Sequence, residues 1–454
     1  MSENKAIQES VGQYKLVRGT ICHLISDPFY EQDETRALEV FEDGGLVIDS
    51  TGRVLALGAF AQMAKAHPAA RLIDRSGCLI LPGLIDCHIH FPQTLVVGAF
   101  GEELIDWLNK HMIPEEAKFH DPEYAATVAS IFFQELIAQG TTTALIFGAH
   151  FEQATKQAFA EAHRRGFRAL MGMTLSDRLM APALLSDPPA AYAASKRLID
   201  QWHNKGKLRY VVTPRFAPTC SPSMLEVCRE LLREHPDAYL QTHLNENHRE
   251  IAWVRELFPF ASSYLDVYDR HGLLGRRSLF AHSVHSSDAE IARLSETECR
   301  VIHCPSSNSF LGSGLLPLKK YVDRRVIVAL GSDIGGGTGY SLLQEMNQAY
   351  KVQMLQMFAL GEKRSAVKLS GIKLLYLGTL AGAVALSLEG EIGSLQVGRC
   401  ADFLVIDPER DTFFKARLKN TSSVGEQLFL LGILGSKQLI GEVYTDGVRV
   451  YQAA

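Results

Sequence analysis

Between residues 84 and 333, short apolar runs alternate with longer stretches of helical period. The short runs are LIDCHIH (84–90), TTALIFG (142–148), FRALMGM (167–173), RYVVTPR (209–215), YLQTHL (239–244), SLFAHSV (278–284), RVIHCP (300–305) and VIVALGSD (326–333). Between them lie stretches such as PEYAATVASIFFQELIAQG and PSMLEVCRELLREH, whose apolar positions recur every three to four residues. Strands with near-continuous apolar runs are buried on both faces, as parallel strands covered by helices are. Eight of them predict an α/β fold, a (β/α)8 barrel of the TIM type; a doubly wound sheet is the alternative.

The pattern changes at both ends. YKLVRGTICHLI, GGLVIDSTGRVLALG and RLIDRSGCLILPG before residue 84, and IGSLQVGRCADFLVID and IGEVYTDGVRVY after residue 391, are short β-type runs broken by glycines and polar turns. They predict a second, smaller β-sandwich domain. It is discontinuous, made of residues 1–80 plus 392–454, with the barrel inserted as residues 81–391.

Composition narrows the partners. A net charge of −5 gives no basic field for nucleic acid or an anionic membrane, which leaves a small molecule as the expected partner. The longest apolar run, LFLLGIL, is too short to span a bilayer, and the polar start MSENKAIQES has no signal-peptide core. Eight cysteines at 22, 78, 87, 220, 228, 299, 304 and 400 include no Cys-x-x-Cys pair, consistent with reduced thiols and a cytoplasmic protein.

The chemistry lies at the ends of the predicted strands. Positions i and i+2 of a strand share a face, so His88 and His90 can converge on one ion. His243 ends the fifth strand, His282 lies on the sixth, Asp333 ends the eighth, and Arg215 follows the fourth. In a barrel all of these ends ring one mouth. Taken singly, His243 reads as a core histidine, Asp333 as a helix cap, and Glu246 as a first-turn glutamate favoured by the helix dipole. Taken together, three imidazoles and a carboxylate suit Zn²⁺ or Fe²⁺ with a position left open for water. Glu246 is then placed to shuttle protons, and His282 to orient or deprotonate that water. His285 and His303 are expected to be packed histidines.

PGLIDCHIH, THLNE, AH, GSD and IGSLQVGRCADFLVID together resemble the amidohydrolase superfamily over nearly the whole chain. HFPQ, VTPRFAPTCS, YLQTHLNENHREI and IHCPSSNSFLGSG resemble its guanine-deaminating members. The resemblance implies one metal ion, Zn²⁺ ahead of Fe²⁺, on His88, His90, His243 and Asp333, with Glu246, His282 and Asp333 as the acid/base groups. It implies guanine contacts from Gln93, Arg215 and Phe216, with His243, Glu246 and Asp333 also facing the substrate, and a homodimer. The bridging lysine of dinuclear relatives is absent from VVTPRF, which points to one metal. The implied reaction is hydrolysis of guanine to xanthine and ammonia. The alternatives are another heterocycle, such as 8-oxoguanine or a triazine, or a non-catalytic scaffold. The zinc deaminases with a Pro-Cys-x-x-Cys ligand pair are excluded, because the chain has no such pair.

Overall fold

The computed structural model describes residues 14–100 and 104–454; the polar start at residues 1–10 lies outside them. Among the described residues, sixteen strands occur in chain order. The first four are β1 (Lys15–Leu24), β2 (Leu38–Ile48), β3 (Val54–Ala59) and β4 (Arg71–Pro82). The central nine are β5 (Leu84–His90), β6 (Thr141–Phe147), β7 (Arg168–Gly172), β8 (Thr174–Leu175), β9 (Arg209–Pro214), β10 (Tyr239–Leu244), β11 (Ser278–His282), β12 (Arg300–His303) and β13 (Val328–Leu330). The last three are β14 (Phe403–Ile406), β15 (Ile440–Thr445) and β16 (Val448–Gln452).

All eight barrel strands form where the apolar runs predict them, in the order β5-β6-β7-β9-β10-β11-β12-β13, every pairing parallel; β8 adds a short pairing to β9. The ring is completed by backbone hydrogen bonds between its first and last strands: Asp333 N–H donates to the His88 carbonyl (2.8 Å) and His90 N–H to the Ile334 carbonyl (3.1 Å). Beneath them the Asp86 carboxylate accepts from the Ser332 hydroxyl (2.5 Å) and backbone N–H (3.0 Å). Gly331 permits this approach, since a Cβ there would lie 2.7 Å from His88 Cβ. The first and last barrel strands therefore share residues with the mouth itself.

The smaller domain is one continuous sheet in the order β16-β15-β14-β4-β1-β2-β3. The sandwich expected of it takes this form because β1 pairs with both β2 and β4, and β4 pairs in turn with β14 from the far end of the chain. Register shifts at Gly19–Ile21 interrupt the long β1 ladder, as a bulge does. Val17, Ile21, Leu46, Ile80, Phe403 and Tyr444 build a core for this sheet that is distinct from the barrel's. Among the described residues no helix is long and apolar enough to cross a membrane, and all eight cysteines are free, seven of them buried.

Candidate active site

The strand period determines the first two groups. His88 and His90 project from the same face of β5 into the mouth, with Nε2 atoms 3.2 Å apart. His243, at the end of β10, brings its Nε2 to 3.3 Å from that of His90. Asp333, just beyond β13, places Oδ1 3.3 Å from His88 Nε2 and 3.2 Å from His90 Nε2. The four donor atoms lie within 4.8 Å of one another. A tetrahedral ion with bonds of about 2.0–2.1 Å has donor-to-donor edges of roughly 3.3 Å, so these contacts match the edges of one coordination shell.

The protonation states agree. Burial pushes the His90 imidazole down to about 4, lowers His88, and drives His243 well below its ordinary range, so that all three are neutral ligands near pH 7. His243 Nδ1–H donates to the Arg215 carbonyl (2.6 Å), which directs Nε2 at the shared centre. The Phe147 ring packs 4.4 Å from His90, 4.9 Å from His243 and 5.1 Å from His88, keeping water from behind the ligands.

Two further groups face the same centre. His282 Nδ1–H donates to Asn308 Oδ1 (2.8 Å), leaving the Nε2 lone pair 3.8 Å from Asp333 Oδ2 and 3.4 Å from Glu246 Oε2. The first-turn role considered for Glu246 belongs instead to Glu250, which makes the capping box with Asn247 at the helix His248–Leu257. Glu246 is thereby free to point inward, where Ser313 Oγ donates to it (3.1 Å). Burial, with help from Asp333, raises its carboxyl to about 8. Asp333 caps no helix, since the next one starts at Leu342. Asn245, His282, Ser283 and Asp333 all have positive φ (49°, 68°, 53° and 50°). Strained backbone of this kind gathers where side chains must be aimed off the regular strand direction.

Gln93, on the short helix Phe91–Val96, and Arg215 sit beside this centre, but not as isolated groups. Gln93 Nε2 donates to Glu116 Oε1 (2.9 Å), and Arg215 Nη1 lies 3.3 Å from the same oxygen. Arg215 thus forms a buried ion pair inside the mouth. Phe216 is buried with its ring 6.4 Å from His243 and 6.1 Å from Trp253. Leu104, Leu108, Arg215, Phe216, His243 and Glu246 line a narrow pocket beside this centre. His285 is packed, donating Nε2–H to the Ser313 carbonyl (2.7 Å), and His303 is buried.

Sequence reasoning did not reach Glu116, Asn308 or Ser313. The last two lie within IHCPSSNSFLGSG, a segment notable on other grounds. Glu116 carried no signal, because two glutamates opening a helix ordinarily face solvent.

A (β/α)8 barrel with a His-x-His pair on its first strand and further histidine and aspartate ligands on later ones defines a metal-centre hydrolase architecture. The chain belongs to the amidohydrolase family, whose model matches residues 79–427. It is 40% identical over 439 residues to the guanine deaminase of Escherichia coli, covering 96% of this chain and 98% of that protein. The solved E. coli structure superposes with a TM-score of 0.93 over 97% of this chain and 100% of its own. Guanine deaminase from Bradyrhizobium japonicum (34% identity, TM-score 0.93) and that from C. acetobutylicum with guanine bound in its active site (28%, TM-score 0.88) each cover 97% of this chain and are themselves covered in full.

Proposed function

We propose that the chain is a guanine deaminase that hydrolyses guanine at C2 to xanthine and ammonia. The observation that carries this reading is the meeting, at one barrel mouth, of a four-donor metal cluster, an inward Glu246–His282 pair, and two buried hydrogen-bond donors, Gln93 and Arg215. The family membership and the guanine deaminase relatives support it.

His88, His90, His243 and Asp333 would hold one divalent ion, Zn²⁺ in preference to Fe²⁺. When bound, the ion supplies a water acidified toward neutrality. His282 Nε2 and the Asp333 carboxylate face the same centre and would accept the proton released when water adds to C2. Glu246 delivers a proton to a ring nitrogen, then assists the C2–N bond to break so that ammonia leaves. Gln93 and Arg215 donate to the oxo edge of the purine, and Phe216 covers its face. The barrel, residues 81–391, is the catalytic domain, with the discontinuous β domain of 1–80 plus 392–454 attached. The free thiols and the absence of a basic field fit a cytoplasmic enzyme acting on a small molecule, and we assign it a homodimer by analogy with its family.

The test is metal analysis of the purified protein together with ammonia and xanthine release from guanine, in parallel with 8-oxoguanine and a triazine. About one metal per chain and preferential turnover of guanine are expected. Turnover of another heterocycle but not of guanine would sink the assignment.

A further inference from the structure

Gln93 and Arg215 both lean on one carboxylate. Glu116, on the short helix Ile113–Ala117, is 2% exposed. Its Oε1 receives the Gln93 amide N–H (2.9 Å) and Arg215 Nη1 (3.3 Å), while its Oε2 faces His150 Nδ1 at 3.0 Å. Behind them, His150 Nε2 is 3.4 Å from Ser176 Oγ, which donates to Thr219 Oγ1 (3.2 Å). The neighbouring Glu115 turns away to Lys118 (2.6 Å), so that only one of the two adjacent glutamates enters the pocket.

An ionised carboxylate accepts hydrogen bonds and donates none. Gln93 must therefore turn its NH₂ end toward Glu116, and its carbonyl end is already taken by the Gly335 N–H (3.3 Å). With one amide hydrogen on Glu116 and its carbonyl held by Gly335, Gln93 keeps its second amide N–H as a donor for a ligand. Arg215 has donors only. The charge of Glu116 also balances that of Arg215, so that the pocket suits a neutral ring rather than an anion.

We propose that Glu116 is a positioning residue that turns the N–H groups of Gln93 and Arg215 into a fixed donor edge, and thereby selects a neutral purine carrying an oxo acceptor at C6. The proposal rests on the guanine deaminase reading and names the group that sets its specificity. A glutamine at position 116 keeps the shape but can present either end of its amide, so Gln93 is free to flip and Arg215 loses its counter-charge.

The experiment compares wild type and Glu116→Gln on guanine and on 2-aminopurine, which keeps the C2 amine but has no C6 oxygen. Where turnover of 2-aminopurine is too slow, its inhibition constant is used instead. In Glu116→Gln, guanine is expected to lose at least about tenfold more than 2-aminopurine, with metal per chain unchanged. Equal losses on both compounds, or no loss, overturn the role. If Glu116→Gln shows no cooperative melt, His150→Asn, which keeps the carboxylate and removes its backing, decides the matter. There the guanine KM is expected to rise about three- to tenfold with kcat within about twofold, and 2-aminopurine to be unaffected; an unchanged guanine KM overturns the role. A wild-type enzyme that releases no ammonia from guanine overturns the deaminase reading as well, whereas an active wild type with uniform losses in the variant overturns only the role of Glu116.

Discussion

Two halves of one barrel mouth are built in different ways. The ligand half, His88, His90, His243 and Asp333, sits on or directly after β5, β10 and β13. Its geometry follows from strand period, from backbone hydrogen bonds that close the ring at these same residues, and from Asp86 tying β5 to Ser332. The reading half, Gln93, Glu116 and Arg215, sits on a short helix, a second short helix more than twenty residues further on, and the turn after β9. Side-chain bonds to Glu116 join these three. An ion tolerates little displacement of its ligands, so it belongs on the stiffest part of the scaffold. Groups on connectors, such as the three proposed to read the substrate, can vary without disturbing the barrel.

Damage to the ligand half should have the largest effect. His243→Ala opens the coordination shell and also removes the bond to the Arg215 carbonyl; metal content and activity are both expected to vanish, and full metal occupancy with normal turnover would contradict the ligand assignment. Next comes Glu246→Gln, in which the amide keeps the shape and the Ser313 contact but cannot shuttle protons. Metal should remain while kcat falls about 10²- to 10⁴-fold, and a drop under about tenfold would remove Glu246 from that role.

A change in the reading half should be selective instead of total. In Arg215→Ala the oxo group of a bound guanine loses its donor in a desolvated site, and kcat/KM for guanine should fall about tenfold more than for 2-aminopurine, equivalent to roughly 1.4 kcal/mol. Equal losses would mean that the Arg215–Glu116 pair is structural and does not read the base. The smallest effect is expected far from the mouth. Arg75 forms a two-pronged pair with Glu442 (2.7 and 2.8 Å) that joins β4 to β15 in the smaller domain, and Glu442 keeps Arg449 as a second partner. Arg75→Ala should lower stability by roughly 0.2–1 kcal/mol in a denaturation experiment and leave kcat/KM unchanged. A large loss of activity there would mean that the smaller domain takes part in shaping the site.

Much of this was legible from local pattern. Eight apolar runs of strand length with helical stretches between them require a parallel sheet covered on both sides, and the barrel strands formed at those runs. His88 and His90 could be paired without any structure, because a strand repeats every two residues. His243, His282 and Asp333 could be gathered with them because a barrel collects all strand ends at one mouth, and the motifs around them pointed to the same family.

What pattern could not reach were the contacts made by side chains on connectors. Glu246 and Glu250 both stand at the start of one helix, and either one suits the helix dipole; only the folded loop gives the capping box to Glu250 and turns Glu246 inward. Glu115 and Glu116 are adjacent, chemically identical and both buried, yet one turns to Lys118 and Tyr124 and the other sits between Arg215, His150 and Gln93, where, against the burial that would raise it, Arg215 and His150 hold its carboxyl at about 2. Periodicity along the chain says which face of a regular element is buried. Whether a carboxylate on a short helix faces the mouth depends on a guanidinium from the turn after β9 arriving beside it, and that meeting exists only once the barrel has closed.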